Sequence, residues 1–161
     1  MGIAELLFAS PPAKASATIA GKQITIKYGA PSIRGRQTFG EAGLLSKDWT
    51  YQVWRAGANA ATTLITDADL DMAGVHVPAG AYSLYVLVND PDNWKLIVNR
   101  QTGQGGHIYS ARMDLGRVVM KMDRPKALVE RLRYTITTSG STGTIQIEWE
   151  NHVASVPIRA T

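Results

Sequence analysis

The chain has 161 residues, 45% of them apolar and 19% charged, with a net charge of +4 and no cysteine. A chain of this size buries a core without covalent staples. The missing cysteines exclude a disulfide framework, a thiolate nucleophile and a cysteine-based zinc site, and no apolar run approaches the ~18 residues a membrane-crossing helix needs, so no membrane insertion is expected.

The first residues, MGIAELLFASPP, hold a short apolar stretch from Ile3 to Ala9 with no basic residue ahead of it. That is a poor signal peptide. Residues 1–12 are read as a loosely ordered arm and residues 13–161 as one domain. In KQITIKY (22–28), Ile24, Ile26 and Tyr28 share one face, and Ala20-Gly21 ahead of it marks a tight hairpin out of ASATI. Residues 29–50 then run for about twenty positions without a strand signal, and loops of that length are usually functional or carry a short helix.

Further on, AYSLYVLV (81–88) is apolar on both faces between turn residues, as in a central strand, and WKLIVN (94–99) should pair with it. RVVMKM (117–122) points Val118, Met120 and Met122 inward. VERLRYTIT (129–137) has helical propensity, but Leu132, Tyr134 and Ile136 alternate with Arg131, Arg133 and Thr135, so it is read as a strand. TIQIEWE (144–150) alternates strictly, and SVPI (155–158) closes the sheet with Pro157 directing it to an edge. Roughly nine to eleven short strands with little helix predict an all-β fold, an antiparallel β-sandwich of jelly-roll type.

Most chemical motifs fail on inspection. Asp67, Asp69 and Asp71 have the opening spacing of a calcium loop, but Met72 and Pro78 stand where glycine and glutamate are required. His76, His107 and His152 lie far apart, so no metal site is expected, and TGQGGH (102–107) is a loop rather than a phosphate cradle. No cofactor motif occurs and no cofactor is expected. SGSTG (139–143) is a hairpin turn, and no catalytic residue is assigned. The mild charge and the lack of a recognisable module argue against a nucleic-acid partner.

Two segments remain, SIRGRQTFG and VWRAGANAATT. Arg34, Arg36 and Arg55 offer planar forks for charge-assisted hydrogen bonds, Asn59 a bidentate amide and Trp54 a stacking face. Trp94 or Tyr109 would complete a pocket. The expected function is non-catalytic binding of a small polar ligand, a saccharide or peptide, at the 31–39 and 54–59 loops. Arg55 has a second reading, as a structural arginine that ties the long loop to the sheet. Two other functions stay open: a carbohydrate-active hydrolase or lyase using Glu148 and Glu150, and a structural or self-assembling homo-oligomeric module built on edge strands.

These segments also carry a resemblance. In order, KASATIAGKQITIKYGAPSIRGRQTFG, VWRAGANAATT, VPAGAYSLYVLV, WKLIVNRQTGQGG, DLGRVVMKM and IEWENHVASVPI resemble the bacterial domain-of-unknown-function 2911 family from about Lys14 to Ile158. The resemblance implies an all-β domain, often exported, hence a periplasmic or extracellular location. It implies no established activity, substrate or cofactor. The family's WRxGANE pattern carries a glutamate where this chain has Ala60, which weakens any carboxylate mechanism at that loop.

Overall fold

A computed structural model describes residues 10–40, 43, 45, 52–58, 61–103 and 109–161. The expected arm up to residue 9, Asn59, Ala60 and His107 lie outside the described residues, as does most of 41–51. Two antiparallel sheets pack face to face as a β-sandwich. In the first, β1 (Pro12–Ile19), β2 (Lys22–Gly29), β4 (Thr62–Thr66), β7 (Gly80–Leu87), β8 (Lys95–Asn99) and β9 (Asp114–Val119) lie in that order, with the two-residue β3 (Val53–Trp54) added to β7. In the second the order is β11 (Val129–Ser139), β12 (Thr142–Glu150), β13 (His152–Ala160), β5 (Leu70–Met72) and β6 (Val75–Val77), with β10 (Lys121–Asp123) also on β13.

Alternation places the core. Ile24 and Ile26 from the first sheet face Ile145, Ile147 and Trp149 from the second, all at 1% exposure or less. Successive strand side chains point to opposite faces, so one register buries every second residue. Pro12 begins β1 and Pro11 O accepts Ala30 N–H at 2.9 Å, so pairing starts at the last residues of the expected arm. The Ala20-Gly21 and Ala73-Gly74 turns both have left-handed backbone at each central position, as two-residue hairpins need to match strand twist.

At one side of the sandwich the edge strands meet: Ala20 N–H donates to Gly140 O at 2.9 Å and the Thr138 hydroxyl to Thr18 O at 2.7 Å. The expected single strand over 117–122 is two strands, because the chain leaves the first sheet after Val119 and enters the second at Lys121. Met120, at the crossing, is buried and donates its N–H to Trp94 O. Pro157 is not on an edge strand. β13 lies inside the second sheet, but its outer partners leave a break, since β10 pairs with 153–155 and β5 with 159–160. Pro157 falls in that break, where no partner strand requires its missing N–H.

Candidate functional site

The 54–58 turn is held from three directions. Ala56 has a positive φ of 59°, and its carbonyl accepts the Thr62 hydroxyl at 3.0 Å and the Tyr134 hydroxyl at 2.7 Å. Ala58 N–H donates to Gly29 O. A Cβ at Gly57 would stand 2.8 Å from the Thr62 hydroxyl, so the glycine answers to close packing. Arg55 is half-buried and engaged.

Trp54 is 1% exposed and does not present a stacking face to solvent. Its ring lies against Trp149 at 5.7 Å and a 19° interplanar angle, with Phe39 and Trp94 at its edges. An apolar ring beside β3 is worth more inside the sandwich than on its rim. Arg36 also turns inward, its Nε donating to Ile33 O at 2.9 Å and its Nη2 to Ser32 O at 3.0 Å. Arg34 is exposed with φ 52°, and its backbone N–H donates to the Glu130 carboxylate. Tyr109 belongs to another network, packed on Tyr85 and donating to Asp114 while accepting from Arg117; burial pushes its phenol up to about 12.

The carboxylates are taken by different partners. Glu148 receives the Arg133 guanidinium at 3.0 Å and the Gln146 amide at 2.8 Å. Glu150 accepts Thr38 N–H at 3.1 Å. Glu150 also has φ 57°, a region costly for a side chain of that length and found where surroundings impose it, often at functional sites.

Thr38, Phe39 and Glu150 lead to the place where the molecule concentrates its unusual features. Phe39 packs on Trp54, Trp94, Trp149 and His152 with centroids 4.5–5.8 Å away. His152 stacks on Trp94 at 4.9 Å and 17°. Four buried polar atoms on this loop and cluster have no hydrogen-bond partner among the described residues: Arg36 Nη1, Thr38 Oγ1, Trp54 Nε1 and His152 Nδ1. Folded proteins leave few such atoms, and each calls for an explanation.

Over His152 opens a cleft of about 310 Å³, walled by Asp92 from the β7–β8 turn, Asp123 and Arg124 at the end of β10, and Asn151 from the β12–β13 turn. None of these five was singled out as a site residue in the sequence. The only local signal was a histidine beside a predicted turn.

Desolvation holds the His152 imidazole below the ordinary histidine value; Arg124 pushes the same way, against the opposing pull of Glu150 and Asp92. Its Nδ1 stands 3.9 Å from Glu150 Oε1, too far for a hydrogen bond. Because the folded value is depressed below 6.5, the unfolded chain binds the proton first. The stability tied to the neutral ring is therefore complete above pH 6.5 and is lost as pH falls below it, until the folded ring protonates as well. Urea unfolding at about pH 8 and about pH 5 should show wild type losing more stability than His152→Gln; parallel losses would place the ring in water.

Neither the curated proteins nor the solved structures contain a match to this chain. One family model does match, over residues 10–158, nearly the whole described sandwich. The chain belongs to the family described as a protein of unknown function, DUF2911.

Proposed function

We propose that this protein is a non-catalytic binding domain for a small polyhydroxylated ligand of the saccharide class, held in the cleft over His152. The observation that carries the reading is the lining: two carboxylates, a guanidinium, a carboxamide and an imidazole around a space of about 310 Å³. Small-ligand sites begin at about 300 Å³, and planar polar groups can bond neighbouring hydroxyls in pairs. A neutral imidazole offers a donor or an acceptor at a given nitrogen according to its tautomer, which suits a hydroxyl, and Trp94 and Phe39 hold that ring in place. The reading moves the ligand from the 54–59 turn to the end of the 31–39 loop, where Phe39 packs on His152 and Thr38 bonds Glu150.

Titrating ¹⁵N-labelled protein with a panel of monosaccharides and disaccharides, and with dipeptides as the competing class, tests this. At least one sugar should produce saturable shifts at residues 92, 122–124 and 151–152. Asp123→Ala should weaken it about tenfold or more, the loss of charge-assisted hydrogen bonds to the ligand. Shifts confined to 31–36 and 54–58, saturation by dipeptides alone, or an unaffected Asp123→Ala would each overturn the assignment.

A further inference from the structure

A second cavity lies elsewhere, on the outer face of the first sheet, and among the described residues shares no lining residue with the cleft over His152. Its volume is about 620 Å³. One wall is the start of β1 at Pro12. The other is formed by Ala58 and Ala61, and Ala58 lies close on the sheet because Gly29 has no Cβ to meet it. Its polar rim is a cross-strand row in which Lys14 stands opposite Lys27, and Lys27 opposite Thr63.

The lysine pair is the unusual feature. Like charges directly opposite across a sheet repel. Both side chains are exposed, and among the described residues neither makes an ion pair and no acidic side chain lines the groove. Lysines on edge strands commonly block strand addition. That accounts for Lys14 on the terminal strand, but not for Lys27, because β2 lies between β1 and β4. An anion seated between two ammonium groups turns their repulsion into attraction, and the alanine and proline walls suit a hydrocarbon body.

We propose that this groove binds an amphiphilic monocarboxylate, its carboxylate between Lys14 and Lys27 and its alkyl chain along Pro12, Ala58 and Ala61. The proposal stands apart from the saccharide reading and fails or holds independently of it. Sodium decanoate, kept below micelle formation, is the probe, with acetate and decanol as the charge-only and chain-only controls.

Decanoate should bind saturably with shifts at Lys14, Lys27 and Ala61, and more weakly as salt rises. The paired substitutions Lys14→Gln and Lys27→Gln should weaken it about tenfold while the sugar titration is unchanged. Decanol binding as well as decanoate would mean apolar adsorption, and acetate binding as well would mean loose ion pairing. Either result, an unaffected double variant, or the absence of saturable binding would overturn the proposal.

Discussion

Gly29→Ala should lower the unfolding free energy by about 3 kcal/mol or more, far beyond an ordinary glycine-to-alanine change. The added Cβ would stand 2.2 Å from Ala58 O, 2.9 Å from Ala58 C and 3.3 Å from Ala58 N. All three are backbone atoms, so no rotamer change relieves the contact. The facing segment cannot step back cheaply either. Ala56 O is held by Thr62 and Tyr134, and Ala58 N–H by Gly29 O itself. Relief by backbone movement would break these bonds inside the protein, where each orphaned group costs about 1–3 kcal/mol.

Gly35→Ala is the control. Gly35 has φ 71° and nothing within 4 Å of an added Cβ, so its cost is backbone conformation alone, about 1–2 kcal/mol. Urea unfolding of the two variants separates the mechanisms. If Gly29→Ala costs no more than Gly35→Ala, the 54–58 turn is not pressed onto β2.

The strands were legible in the sequence wherever one face is buried. KQITIKY, VERLRYTIT and TIQIEWE alternate because water lies on one side of each and the opposite sheet on the other. What alternation does not carry is where a strand changes sheet. RVVMKM keeps its period through Met120, so the step from one sheet to the other leaves no mark in the pattern. Pro157 misled for a related reason: proline reports a missing donor, and a break between two short neighbours satisfies that as well as an open edge does.

The candidate site was harder. Trp54 and Arg36 belong to residue types that bind ligands well, and the same properties make them good core and loop-tying residues. Sequence gives the type and not the direction it faces. The cleft over His152 draws on three turns from two sheets, separated by about thirty residues each, a spacing set only by topology. The glutamate at 150 shows no local sign of its left-handed backbone, which appears only once the two-residue turn between β12 and β13 is built.

Trp149→Ala should cost about 3–5 kcal/mol, the range for removing a fully buried large aromatic. Trp149 is 1% exposed and stacks on Trp54, so a residue of the second sheet lies directly on one of the first. Its indole N–H donates to Glu130 O at 3.1 Å, tying β12 to β11. Phe39 packs on the same ring at 5.8 Å, and its neighbour Thr38 bonds Glu150. Loss of the indole therefore removes packing between the sheets, leaves Glu130 O without that donor and loosens the loop that backs His152.

Trp149→Phe divides these effects. It keeps an aromatic ring against Trp54 and Phe39 but drops the N–H, so it should cost less, nearer 1–3 kcal/mol. Denaturant unfolding should rank wild type, Trp149→Phe and Trp149→Ala in falling stability, and sugar binding should weaken in the same order if the cluster positions His152. Equal stability of the two variants would assign the whole effect to the Glu130 hydrogen bond. A cost below about 1 kcal/mol for Trp149→Ala, the scale of a surface change, would mean the sheets are joined at this end by contacts other than the tryptophan stack.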